Sequence, residues 1–440
     1  MGSNPSLRQF LLATLALFVV GISAMLYRMR SDNSLPPIDN PLYAKEEKPM
    51  SDMARMWPVF GGTPARNMVN TAETGLPTEW ETRRNEEKKN LKWTAKLGSR
   101  AYGGPTIAGG KIFIGTNNES PRNQRDTDPK KVNITTKQPL PIDKGVVMCF
   151  RESDGKFLWQ HVNDKLASGI VNDWTREGVC STPVAEGDRV YYVSNRCAVV
   201  CLDVEGFANG NQGFQNEQYK DASDADVIWE FDMMKELNVF PHNMAACSPV
   251  VVGDVIFVVT ANGVDEGHIN IPSPEAPSFI ALDKNTGKLL WKDASPGNQI
   301  MHGQWSNPTF AEIGGKPQII FPGGDGWLYS FEPKTGKLIW KFDANPKKAS
   351  RYELGGKGER NDFIATPVIY DNKIYIGVGQ DPEHYEGIGH LYCIDAAGKT
   401  GDISPELVVK DDPDPTKRGT KPNPNSGQVW HYGGLDKRED

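Results

Sequence analysis

The segment Phe279–Trp291, FIALDKNTGKLLW, recurs along the chain, and a recurring unit of this kind leaves few folds open. It reads as a strand over Phe279–Asp283, a tight turn closed by Asn285-Thr286-Gly287, and a returning strand ending in Leu289-Leu290-Trp291. Near copies are Met148–Trp159 (MCFRESDGKFLW) and Tyr329–Trp340 (YSFEPKTGKLIW); looser ones begin at Val200 and Leu391. In the close copies the Gly takes the turn position where a positive φ is wanted. Residues two apart, Phe157/Trp159, Val227/Trp229, Leu289/Trp291 and Leu338/Trp340, point to one side of their strand. Each unit therefore offers an apolar stripe that it cannot bury alone, so neighbouring units must cover it.

The period extends upstream of each copy. Every unit opens on a small residue before proline: Gly104-Pro105, Thr182-Pro183, Ser248-Pro249, Asn307-Pro308 and Thr366-Pro367, with prolines 78, 66, 59 and 59 residues apart. A strand, a short turn and a second strand follow, as in Asp371-Asn372-Lys373-Ile374-Tyr375-Ile376-Gly377, where Asn372-Lys373 is hairpin-turn chemistry. Four antiparallel strands in fixed order describe a propeller blade. The 44 Gly and 32 Pro suit such a turn-rich all-β fold. Five blades are visible between Gly104 and Trp430. The Leu91-Lys92-Trp93 stretch is expected to be an outer strand standing ahead of the first blade, so the expectation is an incomplete ring.

The chain divides into a short flank (1–8), an uncharged stretch (9–27), a Pro-rich linker (28–56) and the propeller (57–440). Residues 9–27 span about 28 Å as a helix, close to a hydrocarbon core. The length of the run and the absence of an A-x-A site favour an uncleaved transmembrane signal anchor over a cleaved signal peptide. Lysine and arginine counts near the segment do not decide its orientation. Net charge is −7, from 49 basic and 56 acidic residues, and no basic stripe is left to follow phosphates, which argues against nucleic acid. The six cysteines form no C-x-x-C and no adjacent pair, and read as small core residues.

Function is expected on one rim. In an up-and-down blade the loop between the second and third strands and the connection to the next blade emerge on the same side. The long insertions fall mostly in those two places, and binding residues concentrate on such loops. Five of seven histidines (161, 242, 268, 302, 384) lie in or beside them. The candidate ligand-binding residues are Asn195, Arg196, Asn262, Asp265, His268, His302, Trp305, Asp325, Gln380, Asp381 and His384. Asp265/Glu266/His268 and Asp381/Glu383/His384 carry cation-ligating groups, but neither matches a defined metal motif, so no metal residue is assigned. No G-x-S-x-G, H-E-x-x-H or G-x-G-x-x-G occurs, and no catalytic residue is assigned.

The A-L-D-x-x-T-G-K-x-x-W pattern, with its small-Pro start, resembles the PQQ-like repeat, and the whole chain resembles bacterial membrane-anchored PQQ-binding-like propellers. The resemblance covers most of Trp57–Trp430. It implies two kinds of activity. One is a binding or scaffolding module, as in the lipoprotein subunit of the outer-membrane barrel-assembly machinery. The other is a PQQ- and Ca²⁺-dependent dehydrogenase oxidising an alcohol or sugar, in which Trp305, Asn262 and Asp325 would be recruited beside the quinone. The adjacent Cys pair of many such alcohol enzymes is absent. The resemblance also implies a propeller on the extracytoplasmic, periplasmic side of the membrane, with a protein or small-molecule partner at the long-loop face. A cytoplasmic interaction propeller is the remaining reading.

Overall fold

A computed structural model of the protein describes residues 56–83, 86–351, 358–380 and 388–434. The proposed membrane segment 9–27, Asp381 and His384 lie outside them. Among the described residues no helix is long and apolar enough to cross a membrane.

The repeated motif closes its own hairpin. Asp283 Oδ1 accepts the N–H groups of Asn285 (3.0 Å) and Thr286 (2.8 Å) and the Thr286 hydroxyl (2.8 Å). The Gly287 N–H donates to the Asp283 carbonyl at 2.8 Å, and Gly287 sits at φ +68°. Strand Phe279–Asp283 is thereby folded back onto Leu289–Asp293. Such hairpins build five sheets of sequential antiparallel strands. The first holds Thr106–Ala108, Lys111–Asn117, Lys144–Arg151 and Phe157–Asp164. The second holds Val184–Glu186, Arg189–Val193, Ala198–Asp203 and Val227–Asp232. The third adds Val250–Val252 and Val255–Val259 to the hairpin above. The fourth runs Thr309–Ile313, Lys316–Pro322, Trp327–Phe331 and Leu338–Asp343. The fifth runs Val368–Tyr370, Lys373–Val378, His390–Ile394 and Gln428–Gly433. These are propeller blades.

The small residues before proline turn out to form a belt. The Gly104 N–H donates to Thr182 Oγ1 (2.8 Å) and the Thr182 N–H to Ser248 Oγ (3.0 Å). The Ser248 N–H donates to Asn307 Oδ1 (2.5 Å), and Asn307 Nδ2 to Thr366 Oγ1 (2.7 Å). Each link crosses from one sheet to the next, so all five are joined in order through one sequence position.

Residues 57–66 occupy the axis. Trp57 exchanges both backbone hydrogen bonds with Ile107 of the first sheet (2.8 and 2.9 Å). The Pro58 carbonyl accepts from Ala185 of the second, Pro64 from Phe310 of the fourth, and Ala65 from Ile369 of the fifth. Arg66 supplies the third: its guanidinium donates to the carbonyls of Ser248 (2.9 Å) and Pro249 (3.0 Å), and also to Pro308 and Phe60. Arg66 is fully buried, and burial lowers its pKa to about 10. One ten-residue segment thus touches the first strand, or the approach to it, in every blade.

Tryptophans join the blades at their outer edge. Trp159 donates Nε1–H to Val204 O, Trp229 to Lys284 O and Trp291 to Pro333 O, each in the following sheet. The rings lie so close to Gly206, Gly287 and Gly336 that a Cβ there would fall 2.6–2.8 Å from the indole. Leu91-Lys92-Trp93 corrects an expectation: it forms no strand. Trp93 nevertheless docks in the same way, donating to Glu152 O (2.8 Å) over Gly155. Trp340 departs from the pattern. Its Nε1–H is taken by Gln318 of its own sheet (2.7 Å), and Gly401–Asp402 pairs in parallel with the strand that carries it. The largest apolar cluster lies between the second, third and fourth sheets, where Phe279 stacks on Phe321 at 4.8 Å and Trp291 meets Phe331. No described strand pairing links the fifth sheet to the first.

Candidate functional site

Strand order puts the loops 118–143 and 260–278, with the described loop ends 379–380 and 388–389, on the same rim as the inter-sheet connections 165–183, 233–249 and 294–308 and the described parts 344–351 and 358–367 of the last one. Contacts between them agree. Asn117 Nδ2 donates to Arg176 O, the Trp174 N–H to Asn243 O (both 2.6 Å), and Pro241 bridges to Asn262.

At the centre of this rim lies a cavity of about 530 Å³. Its wall includes Thr182, Ser248 and Asn307 of the belt, and Phe60 of the axial segment contributes to it as well. Tyr102 comes from the approach to the first sheet, and Trp174, Met244, Trp305 and Ile364 bring one side chain from each of the four connections. Tyr102 (62 %), Ile364 (44 %) and Trp174 (39 %) are large apolar or aromatic groups left exposed around it. Glu177, which also lines the cavity, is ion-paired with Arg100 and holds the Tyr102 hydroxyl pKa up. The cavity is therefore aromatic, nearly neutral, and of a size that takes a small molecule or an inserted side chain.

Beside it, across Trp305, three histidines meet. The ring centroids of His242, His268 and His302 stand 4.5–4.8 Å apart, and Trp305 lies edge-on to His302 at 4.8 Å. The Trp305 Nε1–H donates to the His242 carbonyl (3.2 Å).

Of the residues singled out in the sequence, His268, His302 and Trp305 come together here. Asp265 stands next to them but is spent on its own turn. Its carboxylate accepts from Ile269 N, Asn270 N and Asn270 Nδ2 (2.8–3.2 Å), which holds its pKa down. Among the described residues the cluster is made of histidines, and Asp265, which stands beside His268 in sequence, is not one of its members. Asn262 is fully buried and braces the loop, accepting from Phe240 N and donating to Ser273 O. Asn195 donates to Asp173, and Arg196 to the carbonyls of Asp164 and Lys165, away from the cavity. Gln380 donates to the carbonyls of Gly358 and Arg360. Asp325 lines a separate polar cavity of about 680 Å³ with Arg351 and Arg360, bound to Tyr329 Oη (2.6 Å) and Trp327 N. Burial outweighs those hydrogen bonds and lifts its pKa to about 6. Trp305, Asn262 and Asp325 thus do not converge on one ligand position.

Tyr102, Phe60, Met244 and Ile364 carried no pattern in the sequence. His242 did: it stands seven residues ahead of Pro249, as His302 stands six ahead of Pro308. Aligning the connections on that proline would have brought the two together.

The profile of a PQQ-like repeat family described as "Outer membrane protein assembly factor BamB" matches residues 143–408. Tetrathionate hydrolase of Acidithiobacillus ferrooxidans is 26% identical over 179 residues, which are 36% of this chain and 31% of that protein. The dehydrogenase subunit of the quinone alcohol dehydrogenase of Komagataeibacter europaeus is 28% identical over 165 residues, 36% of this chain and 21% of that one. The chain thus spans about a third or less of these curated relatives. Among solved structures, the quinohemoprotein alcohol dehydrogenase of Comamonas testosteroni aligns over 80% of this chain and 68% of its own, at 13% identity and TM-score 0.46. BamB of Moraxella catarrhalis aligns over 79% and 89%, at 12% identity and TM-score 0.35.

Proposed function

Because the chain belongs to the PQQ-like repeat family of the outer membrane protein assembly factor BamB, we propose that it is a binding or scaffolding module whose contact surface is the long-loop rim. The axial cavity carries this reading. Three large exposed side chains surround an aromatic-walled depression of about 530 Å³ whose one charged lining group among the described residues, Glu177, is paired with Arg100, on loops fixed by the belt beneath them. Isolated exposed apolar residues are ordinary; a contiguous group around a formed cavity marks an interaction site. The partner's chemistry follows from the wall: an apolar or aromatic side chain of a protein segment fits, and a strongly charged group does not. The same proposal places residues 9–27 in the membrane and the propeller on its extracytoplasmic side, which a topology reporter fused after Asp440 reads directly.

The dehydrogenase reading asks this cavity to hold a quinone with three carboxylates. Among the described residues lining it, Glu177 is the one charged side chain, and neither Lys nor Arg contributes. The wall offers no counter-charge, so it does not fit PQQ, and no step is drawn through that cofactor.

A photo-crosslinking amino acid tests the docking surface in cells when placed at Ile364 on the rim and, for comparison, at Leu338, which is exposed beside a turn of the opposite rim. A discrete protein adduct from position 364 alone is expected. Equal labelling from both positions would sink the reading.

A further inference from the structure

We propose that His242, His268 and His302 form a binding site for a divalent first-row transition metal of the zinc class. Each comes from a different segment of the rim: the connections 233–249 and 294–308 and the loop 260–278. One ring nitrogen from each lies within 4.8 Å of the other two. His242 and His302 are each 1% exposed, and His268 is half-buried.

The surroundings are built to hold the rings in place. His242 Nδ1 lies 2.9 Å from the Val264 carbonyl, which can only accept, so Nδ1 carries the proton and Nε2 the lone pair. The Val264 N–H in turn donates to the His302 carbonyl (3.1 Å), so one residue sets both histidines. Gly263 between them has no room for a Cβ, which would fall 2.6 Å from His242 Cβ and from the His302 carbonyl. A Cβ on Gly303 would fall 2.4 Å from the Trp305 ring. His268 is presented by the turn that Asp265 organises, with its N–H on the Asp265 carbonyl (3.0 Å) and φ at 56°. Non-glycine residues adopt that conformation where the fold imposes it.

A metal ion would take one ring nitrogen from each of the three rings as a ligand. The donor set among the described residues, three imidazole nitrogens, selects Zn²⁺, Cu²⁺, Ni²⁺ or Co²⁺ over Ca²⁺ and Mg²⁺. A tetrahedral ion takes one further ligand beyond these three. The site adjoins the axial cavity through Trp305 but does not depend on the docking role proposed for that cavity.

The test uses full-length, untagged protein freed of metal by chelation and titrated with Co²⁺, then Zn²⁺. The expected result is one Co²⁺ per chain, giving the visible bands of a low-coordinate nitrogen site and quenching tryptophan emission through Trp305. Zn²⁺ should displace it. His268→Ala, at the half-buried ligand, should weaken binding by about 100-fold or more while far-UV circular dichroism stays unchanged. His302→Gln should do the same if it folds. His431→Ala, which removes one member of the other close histidine pair (His390–His431, 5.1 Å), should leave binding as it was. Absence of saturable one-to-one binding, or parental affinity in His268→Ala, would overturn the proposal.

Discussion

The backbone N–H of Ser248 donates to the side-chain carbonyl of Asn307 at 2.5 Å, tying the third sheet to the fourth beside the axis. The same amide donates onward to Thr366 of the fifth sheet at 2.7 Å. Asn307 is 9% exposed, so water does not readily replace either partner. Asn307→Ala strands one backbone donor and one hydroxyl, each costing about 1–3 kcal/mol when buried. The expected loss is about 2–4 kcal/mol in urea unfolding. A change within about 0.5 kcal/mol, the range of an ordinary surface substitution, would show that the belt does not hold the blades together.

Two glycines separate the tryptophan contact from backbone strain. Gly336 (φ +69°) and Gly398 (φ +70°) share a conformation, but a Cβ at Gly336 falls 2.6 Å from the Trp291 ring, while at Gly398 it meets nothing within 4 Å. Gly398→Ala should cost about 1–2 kcal/mol for the left-handed backbone alone. Gly336→Ala adds the clash and displaces the indole, a further 1–3 kcal/mol or so. Equal melting temperatures for the two variants would remove the tryptophan from the account.

Asp325 gives a pH dependence with a definite sign. Its folded pKa of about 6 lies above its ordinary value of 3.8, so between these the folded state binds more protons than the unfolded one. Stability from this group is full below pH 3.8 and is lost as pH rises through about 6. The 4%-exposed carboxyl can contribute about 3 kcal/mol by this route. Asp325→Asn should therefore flatten the fall in unfolding free energy between pH 4 and 6 relative to the parent. Arg360 and Asp343 face the same group with opposite effects, and both remain in that variant. Parallel curves would show that Asp325 titrates normally.

The blades were legible because their information is local. Asp283, Thr286 and Gly287 close their turn within five residues, and Trp291 sits at a fixed offset from that turn. The small-Pro position was visible as a period, but its role was not. Gly104, Thr182, Ser248, Asn307 and Thr366 share no side-chain chemistry, and their bonds appear only when five sheets stand side by side. Trp93 misled for a related reason: the residue that docks was recognised, while the strand expected around it did not form. His242 and His302 stand at similar offsets from their prolines, but His268 comes from a loop between second and third strands, and the residues of the axial cavity share no such offset. Asn262, Asn195 and Gln380 look like ligand groups because polar residues on a functional rim look alike in sequence. Their hydrogen bonds go instead to backbone groups and, for Asn195, to the Asp173 carboxylate.

The axial segment supplies the last prediction. Arg66 donates from Nε, Nη1 and Nη2 to four carbonyls, those of Pro308, Phe60, Ser248 and Pro249, at 2.8–3.1 Å. None of the four is a carboxylate, so backbone dipoles, with the Phe60 ring at 5.6 Å, solvate a cation taken fully out of water. The planar fork of guanidinium matches carbonyls spread over two sheets, whereas an ammonium concentrates its donors at one point. Lysine also carries a smaller, more strongly hydrated charge, which costs more to bury. Arg66→Lys keeps the charge yet should lose about 2–4 kcal/mol, because two or more of the carbonyls are left without donors. Since residues 57–66 bond to every blade, the loss should lower hydrogen-exchange protection across all five first strands and not in one alone. Exchange confined to the third and fourth sheets would mean that Arg66 is a local brace and that the segment does not hold the blades as a group.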